Sequence, residues 1–405
     1  MLWAMRLPDT SSLTSRLSRF PIGTLAVAGI VIALVWAYGR YHQKPVPSPT
    51  RQPVQLPAVR PRDTGKYVRV LSIDGGGMRT LLALKCLEYM EKRSGRPTCE
   101  LFDLMVGTSS GAFAVAALSV PLDHGTPRFT ASELIKEFPK LWAKTLKTPL
   151  IHPVLSLDGR TAPKYLTRTR QKVFQEFFGN TQVGEALTTI VIPACSTREQ
   201  VPFLFASDMG KSASFSGANG RAIAEAGDFF LADAITAATC NPAVSAPSKI
   251  TNAAGDQTET LVGAEIYANN PSLLALSEAL LRFPGKQCVL ISLGAGVSPS
   301  VPEDAAPGWR RAGNAEEVVR FAAEASQFST AQITSALHRF GSGPVAAYIR
   351  LDIPLPTNAL PADDGSERNA RELAALAETL VADKSATLDR TADFLGAKKA
   401  AQNPC

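Results

Sequence analysis

The stretches Asp74-Gly75-Gly76-Gly77-Met78-Arg79 and Gly107-Thr108-Ser109-Ser110-Gly111 have residue types and a spacing suited to chemistry. Three consecutive glycines leave backbone N–H groups unscreened by any Cβ, and a helix N-terminus behind them adds partial positive charge. Such a loop holds an anion, either a bound phosphate or the transient oxyanion of acyl transfer. Arg79 adds a formal charge or orients the loop. A tight turn that merely requires glycine is the plainer reading of the same residues. A dinucleotide fingerprint fits less well, since Thr80 stands where its last glycine would. A phosphate-binding P-loop fits worse, because no Lys-Ser/Thr pair follows. The second stretch, G-x-S-x-G, is the pattern of a nucleophile elbow, in which flanking glycines allow a sharp turn that presents the serine. Taken together, the two stretches predict Ser109 as a nucleophile and Gly75, Gly76, Gly77 and Arg79 as its oxyanion hole.

Both loops need a strand before them and a helix after them. Val68–Ile73 reads as the first strand, and Leu81, Leu82, Leu84, Leu87 and Met90 give the apolar face of the following helix. FDLMVG precedes Ser109, and an alanine-rich helical run follows it. With TTIVIPACST and QCVLISLGAG further on, this alternation predicts an α/β domain with a largely parallel central sheet. In such a sheet both loops emerge at the C-terminal edge of the strands. The 405 residues are 45% hydrophobic and 19% charged, a globular composition. Six scattered cysteines form no CxxC pair, so neither a zinc site nor a disulfide framework is expected, and no cofactor is implied.

Charge is unevenly placed. Residues 1–66 carry nine Lys/Arg against Asp9 and Asp63, whereas the remainder carries 33 basic and 34 acidic residues. The body therefore offers no basis for nucleic-acid binding. Phe20–Tyr38 contains no charge and is about long enough to cross a bilayer, with Trp36, Tyr38 and Tyr41 where an aromatic belt would lie. A cleaved signal peptide is the rival reading. The expected organisation is a tail over 1–19, a single-pass membrane anchor over 20–38, a basic Pro-rich linker over 39–66, and a catalytic-type domain over 67–396. The side of the membrane that the domain occupies is left open.

The motifs DGGGMRT and GTSSG, one helix apart, resemble the patatin-like phospholipase family. ADAITAATCNPAVSAP is similar to that family's segment of small residues and prolines. IYANNPSLLAL looks like the run after its catalytic aspartate, and DDGSERNARELAALAETL resembles its C-terminal helix. The resemblance, which extends to about residue 395, implies a three-layer α/β/α fold and hydrolysis of lipid acyl esters. It also implies a Ser-Asp dyad without catalytic histidine, and the chain has only four histidines.

One position departs from the pattern. Aligned on Asn269-Asn270-Pro271, the dyad aspartate falls on Gly263. Without a general base a serine hydroxyl is a poor nucleophile. Glu265 is the candidate replacement, expected in a strand on the same face as Gly263. Asp256 in the preceding loop and His338 are further options. The functional readings are a membrane-anchored lipid acyl hydrolase with impaired activity, or a degenerate lipid-binding or regulatory protein. A nucleotide-binding domain using the Gly75 loop is a third. The basic stripe Lys164, Arg168 and Lys172, with Arg170 between, reads as a solvated helix face, and Phe174, Phe177 and Phe178 read as core.

Overall fold

The computed structural model describes residues 22–48, 65–122, 125–157, 159–208, 224–299, 315–340, 343–356 and 360–396. Among the described residues a nine-stranded mixed sheet forms the centre. Its strands are β1 Tyr67–Ile73, β2 Leu104–Gly107, β3 Thr189–Ser196, β4 Pro202–Ala206, β5 Ala224–Ala226, β6 Ser248–Thr251, β7 Thr258–Gly263, β8 Gln287–Leu293 and β9 Val345–Leu351. They lie in the order β5-β4-β3-β2-β1-β8-β9, with the β6–β7 hairpin branching from the end of β3. β2, β1, β8 and β9 run parallel with β3, while β3 pairs antiparallel with β4 and β7.

Strand periodicity explains why helices cover both faces. In β1 and β8, Val68, Val70, Cys288 and Leu290 point to one cluster, while Leu71, Ile73, Ile291 and Leu293 point to the other. The principal helices are α1 Ile22–His42, α2 Thr80–Ser94, α3 Ser110–Ala117, α4 Ala131–Thr145, α5 Thr167–Phe178, α6 Leu231–Ala238, α7 Ser272–Arg282, α8 Ala315–Arg339, α9 Glu367–Asp383 and α10 Ser385–Gly396. Leu82, Phe113, Phe174, Leu373 and Leu388 from α2, α3, α5, α9 and α10 fill the larger cluster, and Ala275, Leu276 and Ala279 of α7 fill the smaller. The three-layer α/β/α expectation holds for the body, with more antiparallel pairing than the sequence suggested.

The N-terminal apolar stretch is helical from Ile22 on. The helix there is α1, which runs past the apolar stretch to Arg40 and His42. Among the described residues no helix is long and apolar enough to cross a membrane. The side chains of residues 20–28 lie outside the described residues. At its C-terminal end the helix is seated on the body, where the Tyr38 hydroxyl bonds the His152 ring and Gly39 abuts the Thr161 carbonyl. Residues 1–19 and most of the 39–66 linker fall outside the described residues.

Candidate active site

β2 ends at Gly107, and α3 begins at Ser110, leaving Ser109 on the turn between them. Ser109 has φ 53° and ψ −121°, a left-handed conformation that costs a non-glycine residue energy. The turn is tight enough that a Cβ on Gly111 would meet the Ile73 carbonyl oxygen at 2.5 Å, so glycine is obligatory there. Strain at a serine on the C-terminal edge of a parallel strand is the geometry of a nucleophile elbow. A hydrogen bond of 2.5 Å from the Thr108 hydroxyl to the Ala268 carbonyl ties the elbow to the segment after β7.

The glycine loop lies against the elbow, with Gly75 directly beside the Ser109 Cβ. Its amides are not equivalent. The expectation that all three glycines present free N–H groups needs correction, because the Gly75 amide donates to the Asn269 carbonyl at 2.9 Å. The Gly76 amide donates to Ser110 Oγ over a long 3.3 Å. Among the described residues the Gly77 amide donates to no other group. Arg79 spends its Nε on the Leu360 carbonyl at 2.7 Å, so it orients the loop, and its guanidinium lines the cavity over Ser109. Beneath the loop, buried Asp74 receives both terminal nitrogens of Arg350, at 2.8 and 2.6 Å. Burial pushes the Asp74 carboxyl up to about 6 while Arg350 pulls it down.

β7 stops at Gly263, so Glu265 is not in a strand as expected. It opens a four-residue helical turn, Glu265–Ala268. Its side chain folds back, and a Cβ added to Gly263 would meet Glu265 Oε2 at 2.2 Å and the Ala238 carbonyl at 2.7 Å. The Glu265 carboxyl thus occupies the volume that a side chain at 263 would fill. Glu265 is 6% exposed, and its Oε2 has no hydrogen-bond partner. Burial raises its pKa. Its own backbone amide, the Ser109 hydroxyl and Arg170 oppose that rise.

Ser109, Glu265, Gly75, Gly76, Gly77 and Arg79 share one cavity of about 640 Å³, lined also by Trp142, Leu146 and Tyr165 and by residues of α8. Asp256 and His338 do not reach it. Asp256 caps the β6–β7 turn through Asn252, and the His338 ring lies by the Val345 carbonyl. Arg170 does reach it, although its sequence neighbours suggested a solvated face. Arg168 and Lys172 are exposed, but Arg170 lies half a turn away, is buried, and bonds the Thr239 carbonyl at 2.6 Å and Ser245 Oγ at 3.1 Å. Only its position on the opposite helix face distinguished it in the sequence. Phe174 and Phe178 are core as expected, and Phe177 packs at the edge of it.

The family model for patatin-like phospholipases matches residues 71–276, from within β1 to within α7 and including both loops. The chain belongs to the patatin-like phospholipase family. It is 28% identical over 233 residues to Patatin-like protein 1 of Arabidopsis thaliana, covering 54% of this chain and 53% of that protein. It is 26% identical over 257 residues to Probable inactive patatin-3-Kuras 1 of Solanum tuberosum, covering 58% and 64% respectively. The chain spans about half the length of the first curated relatives it matches. In this patatin-like domain position 263 carries no side chain, and the Glu265 carboxyl occupies the space that one would fill.

Proposed function

We propose that this protein hydrolyses carboxylic esters of lipids through an acyl-Ser109 intermediate, with Glu265 as general base. The observation that carries the reading is the Glu265 carboxyl, folded into the space over Gly263 with an unpartnered oxygen, in one cavity with the strained Ser109. As the Ser109 oxygen attacks the ester carbonyl carbon, its proton passes to Glu265. The oxyanion is received by the Gly76 and Gly77 amides. Collapse expels the alcohol, which takes the proton from Glu265. Water, deprotonated by the same carboxylate, then releases the fatty acid and restores Ser109. The apolar wall of Trp142 and Leu146 suits an acyl chain. Attachment at a membrane through the N-terminal apolar segment, residues 20–38, belongs to the same proposal, and partition of the full chain into a membrane pellet resistant to alkaline carbonate tests it.

One observation favours the second reading, a degenerate lipid-binding or regulatory protein. Burial raises the Glu265 pKa, and a protonated carboxyl is no base. The deciding experiment is hydrolysis of a short-chain chromogenic ester and of phospholipid vesicles by the full chain and by Ser109→Ala. Loss of at least about 10³-fold in kcat/KM supports the hydrolase. Equal, background rates in two folded proteins overturn the hydrolase reading, and vesicle binding by the same proteins would then support the second.

A further inference from the structure

The connection from α4 to α5 exposes apolar side chains that the fold does not require to be exposed. Leu150 is 100% exposed, Val154 70% and Ile151 60%, and Leu157 stands out beside them with φ 47°. A leucine held in the left-handed region with half of its surface in solvent recovers little of that strain from packing. The segment is nonetheless firmly placed, because His152 in its middle is buried and bonds the Pro163 carbonyl at 2.8 Å and the Tyr38 hydroxyl.

Two features say what covers this surface. First, it is continuous with α1, whose Ile30, Ile32, Leu34 and Trp36 are also exposed. Leu157 and Thr161 share one groove with Val31, Ile32, Val35 and Trp36. An apolar helix and an apolar loop, side by side and uncovered, call for an apolar medium rather than water. Second, the rim is basic. Between residues 140 and 172 the chain carries eight Lys/Arg against Asp158 alone, and Lys144, Lys147, Arg160 and Arg168 are exposed, as are Arg40 and Lys44 at the end of α1. An apolar centre ringed by cations fits the surface of an anionic bilayer, with apolar tips among acyl chains and cations at headgroup level.

We infer that Leu150, Ile151, Val154 and Leu157 form a docking surface by which the body itself seats on an anionic phospholipid bilayer. The same connection leads from Trp142 and Leu146, which wall the Ser109 cavity, so docking brings the leaflet to the cavity mouth. The inference adds the contacting surface to the lipid reading above, but its test reads membrane contact, not turnover.

The full chain carrying an environment-sensitive fluorophore at Val154→Cys is mixed with vesicles of phosphatidylcholine, with or without phosphatidylglycerol and a spin-labelled lipid. A matched label at Glu372→Cys on α9 is the control. Expected are blue-shifted emission and quenching at 154 and neither at 372. Lys144→Glu/Lys147→Glu/Arg160→Glu should weaken partition to the anionic vesicles at least about tenfold. Vesicle-bound chain with no quenching at 154 overturns the docking surface. Shielding of 154 in a lipid-free dimer overturns it in favour of a second copy. Unchanged partition of the charge-reversed variant overturns the anionic bilayer as the occupant.

Discussion

At the scale of single residues, the relation between Gly263 and Glu265 governs what each substitution does. Glu265→Gln keeps the shape of the side chain and removes its basicity, and should lower kcat by roughly 10²–10⁴-fold with the fold intact. Because burial raises the folded-state pKa of Glu265, the folded state binds more protons than the unfolded one between the two pKa values. Its contribution to stability is therefore present below the unfolded pKa and is lost as pH rises through the folded pKa. Glu265→Gln should raise the thermal midpoint at neutral pH while it destroys activity, and a lower midpoint would contradict the assignment of an ionised, buried base. The acid limb of the pH–rate profile should lie above the ordinary glutamate range, and Arg170→Met should move it further up, since Arg170 opposes the rise. Restoring the family aspartate alone should fail. Gly263→Asp would press a Cβ into Glu265 Oε2 and the Ala238 carbonyl, an overpacking cost of about 1–3 kcal/mol. The double change Gly263→Asp/Glu265→Ala vacates that volume. Activity in the double and not in the single variant, measured on one chromogenic ester, would confirm that the two side chains compete for one space.

At the scale of elements, the glycine loop is held from below and behind. Arg350 on β9 grips Asp74, reaches Ser292 Oγ at 2.8 Å, and pairs with Asp352 at 2.6 Å. Asp352 in turn receives the Gly296 amide at 2.9 Å. The loop between β1 and α2 is thus fixed by the two strands on one side of it, and Asn269 and Ala268 fasten the turn after β7 to the loop and the elbow. Arg350→Met would strand a buried carboxylate, at a cost of about 3–5 kcal/mol. Urea unfolding should show that loss as a lower midpoint with an unchanged slope. Under the proposed mechanism residual activity per folded molecule should fall as well, because the glycine-loop amides lose their support. Full activity in the folded fraction would mean that the loop is positioned without the Arg350 ion pair.

At the scale of the whole molecule, the charge distribution and the apolar surface coincide. The body beyond residue 66 is close to neutral, so attraction to an anionic surface must come from the basic N-terminal segment and the rim around residues 140–172. Raising ionic strength from 0.1 to 1 M shortens the Debye length from about 10 to about 3 Å. Flotation with anionic vesicles should weaken accordingly, while the apolar contribution persists and leaves measurable binding. Complete release by salt would assign the attachment to charge alone.

The sequence by itself determined the two motifs, the strands and helices that flank them, and the order in which they occur. Each of those is a local property: β-branched runs end at glycines, and apolar residues recur at helical spacing. Ser109 and the glycine loop were legible for that reason, as were β1, β2, β3 and β8. β4, β5, β6 and β9 were not: β4, β5 and β6 have only three to five residues, too few to show a periodicity, and β9 takes its place beside β8 only in the packed sheet. Tertiary structure alone decided which carboxyl lies beside Ser109, that Arg170 belongs to the cavity, and that the Gly75 amide is already spent on Asn269. Those outcomes depend on which atoms from remote positions share one small volume. A chain read residue by residue shows that Gly263 lacks a side chain, but only the packed fold shows that Glu265 fills the space.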